Sequence, residues 1–248
     1  DPFTGGSSTR FRVPEGKPIR LAGMVPTGGV AKKVTKNGDQ MAIVTLEDME
    51  RATAAVARST SRAMIIADLP FGTYEDTPEH AFASAARLMK AGAHAVKLEG
   101  GQKRAHIISA LVAAGIPVCA HLGYTPQSEN TLGGPRMQGR RDGAQPLRTD
   151  AKAVEEAGAF ALVLEMVPAS VAREITQAAA IPTIGIGAGP DTDGQVLVWS
   201  DMAGYSQWVP SFVHKFGRLG PALRDAASDY VAAVRARKFP GPDNYKND

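Results

Sequence analysis

From residue 63 onward, short apolar runs alternate with helical segments that end at glycine. Six runs have the length of buried strands: Ala63–Asp68, His94–Glu99, Pro117–His121, Phe160–Glu165, Pro182–Gly187 and Gln195–Trp199. Near-continuous apolar runs of this length are typical of parallel strands that are covered on both faces. Their alternation with helices predicts successive βα units around a parallel sheet.

The helices have recognisable start and stop signals. Thr77 precedes a proline, which gives an N-cap residue followed by proline at the first helical position, and Gly92 is placed to end that helix. Thr45 is a second N-cap candidate, with acidic residues in the turn that follows. After the last apolar run we expect two further helices, near residues 209–216 and 221–237.

The pattern before residue 63 is different. Three apolar runs occur there with no helix-length segment between the first and the last: 19–24, 30–35 and 41–46. Asn37-Gly38 lies between the last two runs and is the strongest short hairpin signal. We therefore expect an antiparallel β meander over 9–47, followed by a partial α/β barrel over 48–248. Residues 1–8 resemble a vector scar and a flexible linker.

Composition excludes some classes of protein. The net charge is only +3, so the whole chain has no strong field for nucleic acid or membrane, although seven basic residues and one acid lie between Arg10 and Lys36. The single cysteine, Cys119, lies in an apolar run, which indicates core packing and a reducing compartment. No apolar run is long enough for a membrane span and no signal peptide is recognisable. We expect a soluble, cytoplasmic protein.

Four of the six runs end in a titratable residue. These residues are Asp68, Lys97 and Glu99, His121, and Glu165. Catalytic groups of α/β barrels lie at the carboxyl ends of the strands, where these side chains are expected to converge. Asp68 and Glu99 come from adjacent strands, so their carboxylates could share one hard cation, most simply magnesium.

Each of these residues also has a purely structural interpretation. Asp68 could cap a turn, Lys97 and Glu99 could form a structural ion pair, and His121 could be a core histidine with satisfied hydrogen bonds. Glu165 could bind a neighbouring loop. Charges at the ends of apolar strands are costly to bury without a partner or a metal, so the set as a whole indicates a functional site.

Five strings of sequence contain or flank these residues. They are Ala-Asp-Leu-Pro-Phe-Gly from Ala67, Val-Lys-Leu-Glu-Gly-Gly from Val96, Ala-His-Leu-Gly-Tyr-Thr-Pro-Gln-Ser from Ala120, Leu-Glu-Met-Val-Pro from Leu164 and Gly-Ile-Gly-Ala-Gly from Gly185. In order and spacing they resemble the ketopantoate hydroxymethyltransferase family, over roughly residues 44–243.

The resemblance implies a (β/α)8-type TIM barrel that transfers a hydroxymethyl group from 5,10-methylenetetrahydrofolate to 3-methyl-2-oxobutanoate. The product would be 2-dehydropantoate, for pantothenate biosynthesis. It further implies Mg²⁺ as cofactor, held by Asp68 and Glu99, with Lys97 and His121 binding the substrate and Glu165 as the catalytic acid/base. Members of the family usually form decamers, so a homo-oligomer is expected.

The chain departs from the family pattern at its N-terminal end. The family's Gly-Asp-Ser string would fall near Gly28-Gly29-Val30, which has no carboxylate, so one metal-site carboxylate is expected to be missing. Weak or absent catalysis would follow from that loss. Residues 16–25 and 33–48 instead resemble the OB-fold region of bacterial DNA polymerase III alpha subunits.

Three hypotheses follow for the chain. It is a hydroxymethyltransferase, intact or impaired; a weak nucleic-acid-binding module; or an engineered or recombined chimera without enzymatic activity. Nucleic-acid binding is disfavoured because Phe3 and Phe11 are the only aromatic residues before Met41 that could stack on bases. Deuterium exchange into the keto acid and binding of single-stranded DNA would discriminate between the hypotheses.

Overall fold

Seven parallel strands form one sheet in the part of the chain that the structure describes. The structure is a computed structural model that describes residues 44–246 and, before them, the backbone of Met24–Val25. The strands follow one another in sequence order and the sheet curls into a half-barrel. They are β1 (Met24–Val25), β2 (Ile66–Asp68), β3 (Ala95–Glu99), β4 (Val118–Gly123), β5 (Ala161–Glu165), β6 (Thr183–Ile186) and β7 (Gly194–Gln195).

Helices connect the strands, as the alternating pattern predicts. The α-helices within the described residues are α1 (Leu46–Ser59), α2 (Pro78–Lys90), α3 (Ala105–Ala113), α4 (Glu129–Leu132), α5 (Ala144–Glu156), α6 (Ala169–Ala178), α7 (Trp199–Met202) and α8 (Leu219–Arg235). Short 3₁₀ helices span Gln102–Arg104, Pro126–Ser128, Arg141–Gly143 and Pro242–Asn244. The chain divides into two compact units, residues 1–196 and 197–248, and the whole sheet belongs to the first.

The two predicted N-caps are confirmed. The Thr45 side chain accepts a hydrogen bond from the Asp48 backbone N–H at 3.2 Å, and the Asp48 carboxylate accepts one from the Thr45 N–H at 3.1 Å. The Thr77 hydroxyl accepts from the backbone N–H of His80 at 3.2 Å, with proline at the first helical position. Each cap satisfies N–H groups that have no partner inside the helix, which typically stabilises a helix by about 1 kcal/mol.

Alternation along the strands separates the hydrophobic core from the polar interior of the half-barrel. Val96 and Leu98 of β3 are fully buried in the apolar cluster beneath the helices, where Ile107 and Leu111 of α3 also lie. Lys97 alternates with them and therefore points to the opposite face of the sheet. Cys119 is buried and unbridged, but it pairs with Lys97 across the strands and therefore lies on the polar inner face rather than in the apolar cluster.

Several expectations about the chain are corrected by the structure. Met24–Val25 pairs in parallel with Ile66–Ala67, so the antiparallel pairing expected of this segment is wrong for these two residues. The turn signal at Asn37-Gly38 does not determine the direction in which the earlier apolar run, 19–24, pairs with another strand. The remainder of the proposed meander, and residues 1–8, lie outside the described residues.

Two predictions near the C-terminal end are also wrong. The strand expected over 195–199 is confined to Gly194–Gln195, and Trp199 begins the short helix α7. No helix forms over 209–216, whereas the helix predicted over 221–237 is present as α8. Proline at 210 and glycine at 217 limit the length of any helix there. Across the described residues, no helix combines the length and apolarity needed to cross a membrane.

Candidate active site

The five polar residues predicted from the strand ends come together on the inner face of the half-barrel. Asp68 ends β2, Glu99 ends β3 with Lys97 two residues before it, His121 lies in β4 and Glu165 ends β5. The strand register pairs Asp68 with Lys97 and Glu99 with His121. Residues paired in this way point to the same face of a parallel sheet, so the convergence follows from the strand order.

A continuous series of contacts joins the five side chains. Lys97 Nζ lies 3.1 Å from Asp68 Oδ2 and 3.4 Å from His121 Nδ1. His121 lies between two carboxylates, with Nδ1 3.6 Å from Glu99 Oε1 and Nε2 3.3 Å from Glu165 Oε2. The contact with Glu165 has ion-pair distance without hydrogen-bond geometry. The arrangement can therefore bind charge on several sides of one small volume.

Burial sets the electrostatics of the site. Burial alone lowers the pKa of the Lys97 ammonium, but attraction by Asp68 and Glu99 outweighs it and the pKa is raised above its ordinary value. Burial raises the pKa of the Glu99 carboxyl, against the attraction of His121 and Lys97. Glu165 is the most accessible member of the cluster, since 16% of its side chain is exposed against 3–4% for the others.

The backbone adopts unusual conformations on both sides of Glu165, in β4 opposite it and in the residue that follows it. Gly123 of β4 pairs with Glu165 at a φ of 93°, and a Cβ at this position would clash with the Glu165 carbonyl oxygen. Met166, the next residue, has a φ of 48°, in the left-handed region that non-glycine residues rarely adopt. Its N–H donates to the Ile186 carbonyl at 2.9 Å, which holds the turn. Such strain is often found beside functional residues.

Two contacts of the cluster were not assigned by the sequence analysis. Gln127 donates its backbone N–H to Glu99 Oε2 at 3.0 Å, and the buried Tyr74 hydroxyl accepts from the Glu99 backbone N–H at 3.2 Å. Gln127 lies in a string already quoted, where the preceding Pro126 signals the start of a helical turn with unpaired N–H groups. Tyr74 lies in a loop after β2 and has no comparable signal.

Oxygen ligands for a hard cation are present in the cluster. Asp68 and Glu99 are the carboxylates that attract the Lys97 ammonium, and Glu165 adds a third carboxylate on the other side of His121. This negative excess and the oxygen donors fit Mg²⁺. Among residues 24–25 and 44–246, no group of three or more His, Cys, Asp or Glu side chains is arranged around a common metal position. Two carboxylates, with water and a chelating substrate, would match the way magnesium is usually held.

The sequence over residues 23–242 matches the family model described as ketopantoate hydroxymethyltransferase. The chain belongs to this family. It is 50% identical over 240 residues to 3-methyl-2-oxobutanoate hydroxymethyltransferase of Rhodococcus jostii (strain RHA1), covering 96% of this chain and 81% of that protein. It is 57% identical over 203 residues to the enzyme of the same name from Ruegeria sp. (strain TM1040), covering 81% of this chain and 72% of that protein.

Membership of the ketopantoate hydroxymethyltransferase family agrees with the fold. A crystal structure of 2,3-dimethylmalate lyase, a PEP mutase/isocitrate lyase superfamily member, superposes with a TM-score of 0.54 at 19% identity. The match covers 89% of this chain and 79% of that one, and it shows a shared fold.

The family match also reaches into the segment that the sequence analysis separated from the barrel. The family model begins at residue 23, and the Rhodococcus relative aligns over nearly the whole chain. The interpretation of 9–47 as an OB-like segment, and of the chain as a chimera, therefore finds no support. About thirty residues of alternating apolar and basic character are too few to distinguish one family from another.

Proposed function

We propose that this chain transfers a hydroxymethyl group from 5,10-methylenetetrahydrofolate to 3-methyl-2-oxobutanoate, giving 2-dehydropantoate for pantothenate biosynthesis. The names of relatives 50–57% identical support the reaction. The observation that carries the mechanism is the single series of contacts from Asp68 through Lys97 and His121 to Glu165. With these contacts, one small keto acid could meet a carboxylate acid/base, the Lys97 ammonium and carboxylate ligands for a metal ion at the same time.

Glu165 is the residue proposed to move the proton. The keto acid becomes a carbon nucleophile when the C3–H bond breaks and its electrons delocalise onto the C2 carbonyl oxygen as an enolate. The Glu165 carboxylate takes that proton, because it is the most accessible carboxylate of the cluster. Water hydrolyses the methylene bridge of the folate to formaldehyde and tetrahydrofolate, and C3 then forms a bond to the formaldehyde carbon. The C=O electrons pass to the formaldehyde oxygen, and the protonated Glu165 returns its proton to that oxygen to give the hydroxymethyl group.

Lys97 and His121 are proposed to bind and orient the keto acid. The Lys97 ammonium remains charged because its pKa is raised, so it can attract the substrate carboxylate or the enolate oxygen. His121 lies within 3.3 Å of Glu165 Oε2 and can fix the orientation of that carboxylate. Both side chains are almost fully buried, which strengthens their electrostatic effect relative to the same groups in water.

Asp68 and Glu99 are proposed to hold the magnesium ion. When bound, the ion supplies a Lewis acid that polarises the C2 carbonyl of the keto acid. The position expected to lack a third carboxylate, near Gly28, lies outside the described residues. Weaker magnesium binding than in a family member with Gly-Asp-Ser therefore stays a prediction, as do the cytoplasmic location and the homo-oligomer.

Product formation tests the proposed function. The chain is incubated with both substrates and MgCl₂, and 2-dehydropantoate is quantified by liquid chromatography and mass spectrometry. We expect product that depends on the chain and disappears with excess EDTA. Glu165→Gln should lower kcat by roughly 10²–10⁴-fold, the usual size of acid/base catalysis, whereas Glu79→Gln on the exposed face of α2 should not. A folded chain that makes no product above the enzyme-free control would refute the proposal.

A further inference from the structure

Gln127 occupies an unusual position relative to the two proposed metal ligands. It is the second residue of the 3₁₀ helix Pro126–Ser128, which begins three residues after β4. N–H groups in the first turn of a helix have no partner within it. The Gln127 N–H instead donates to Glu99 Oε2 at 3.0 Å, so the start of this turn directly binds one carboxylate.

The side-chain amide of Gln127 makes two further hydrogen bonds. Its Oε1 accepts from the Tyr74 hydroxyl at 2.6 Å, and its Nε2 donates to the Leu69 carbonyl at 2.8 Å. Leu69 directly follows Asp68, the other proposed ligand. The amide therefore has both polar ends engaged, one through Tyr74 and the other next to Asp68.

Tyr74 completes the connection on the side of β3. Its side chain is 1% exposed, and its hydroxyl accepts from the Glu99 N–H at 3.2 Å while donating to Gln127. Glu99 is thus held at its carboxylate by Gln127 and at its backbone by Tyr74. The loop after β4 thereby links the ends of β2 and β3 through one amide.

We propose that Gln127 is a positioning residue, which fixes the Asp68 and Glu99 strand ends relative to each other so that their carboxylates can bind one divalent cation. The inference rests on the proposed function in taking these two carboxylates as the metal ligands. Residues that orient metal ligands by hydrogen bonds typically change metal affinity 10–100-fold when they are removed. Neither Gln127 nor Tyr74 needs to touch the cation or the substrate.

The test measures binding of Mn²⁺ alone to the full chain, by electron paramagnetic resonance of the free ion. Gln127→Met keeps the length and volume of the side chain and removes both amide hydrogen bonds. We expect its Kd for Mn²⁺ to rise about 10–100-fold. The matched control Gln177→Met, on the exposed surface of α6, should keep the wild-type Kd.

Tyr74→Phe provides a second variant that removes only the hydroxyl. It should also weaken Mn²⁺ binding, and the double variant should lose less affinity than the two single losses combined, because both act through one hydrogen bond. In assays of product formation, a positioning role raises the Mg²⁺ concentration needed for half activation, and saturating Mg²⁺ restores most of kcat. A role confined to folding would lower kcat at every Mg²⁺ concentration.

Wild-type Kd for Mn²⁺ in folded Gln127→Met overturns the inference. If Gln127→Met does not fold, unchanged Mn²⁺ affinity in Tyr74→Phe overturns it instead. Failure of the wild-type chain itself to bind Mn²⁺ also overturns it. A wild-type chain that binds Mn²⁺ and makes no product refutes the proposed function alone. Product formation with unchanged Mn²⁺ affinity in both variants refutes the positioning role alone.

Discussion

Replacing Lys97 by methionine should strongly destabilise the first unit. The Lys97 and Asp68 side chains are 4% and 3% exposed, with Nζ 3.1 Å from Oδ2. At that distance and an effective dielectric constant of about 20, the attraction is about 5 kcal/mol. Removing one partner of a buried pair usually costs about 3–5 kcal/mol, because the remaining charge is left uncompensated. Methionine also removes the cost of burying the ammonium, which offsets part of the loss. We therefore expect the free energy of unfolding to fall by about 3 kcal/mol.

The direction of the pKa shift at Lys97 supports a net loss of folding stability in Lys97→Met. Its pKa is raised above the ordinary value of 10.5 because the nearby carboxylates outweigh the effect of burial. A raised pKa means that the charged form stabilises the folded state. This contribution is fully present below pH 10.5 and is lost only as the pH rises through the raised value.

Urea unfolding followed by far-ultraviolet circular dichroism measures the effect, at pH 7 and in EDTA so that no metal ion compensates the lost charge. Lys152→Met is the matched control, because Lys152 forms an exposed pair with Glu156 at 3.5 Å. Such surface pairs contribute about 0.5 kcal/mol or less. Adding Asp68→Asn to Lys97→Met should restore part of the stability. Equal unfolding free energies for the Lys97 and Lys152 variants would show that the buried pair is not a stabilising interaction.

Three further predictions concern the packing around the site. Gly123→Ala should lower the free energy of unfolding by about 2 kcal/mol in denaturant titrations, because the new Cβ meets the Glu165 carbonyl; wild-type stability would contradict this. Met166→Val should melt below Met166→Gly in calorimetry, since a β-branched residue tolerates the φ of 48° poorly; the reverse order would show no strain. Cys119 should react with DTNB at pH 8 only after unfolding, because burial raises the pKa of its thiol to about 12; rapid labelling of the native chain would argue against its burial.

The sequence was sufficient to predict the polar cluster because strands that follow one another in the sequence are neighbours in this parallel sheet. Asp68, Glu99 and Glu165 each end an apolar run, and the carboxyl ends of successive parallel strands lie at one edge. Lys97 could be added because residues two apart on a strand share a face. His121 ends the predicted run between those of Glu99 and Glu165, so the same rule includes it, and the structure brings all five residues into contact.

The hydrogen bonds that hold the cluster were not predictable in the same way. Tyr74 reaches Glu99 from a loop, and its position depends on how that loop packs against β3 rather than on any periodicity. The left-handed turn at Met166 has no sequence signal either, since glycine or asparagine normally marks such a turn. At the N-terminal end, an Asn-Gly pair indicated a local hairpin, but a local signal does not specify the parallel pairing of Met24–Val25 with β2.

Deuterium exchange at C3 of 3-methyl-2-oxobutanoate tests the proposed proton transfer most directly. Proton NMR in D₂O with MgCl₂ and without folate follows this step apart from hydroxymethyl transfer. We predict exchange well above the buffer rate for the wild-type chain and for Glu79→Gln, with a loss of roughly 100-fold or more in Glu165→Gln. Exchange by Glu165→Gln at the wild-type rate, or by the wild-type chain no faster than buffer, would contradict the assignment of Glu165 as the catalytic base.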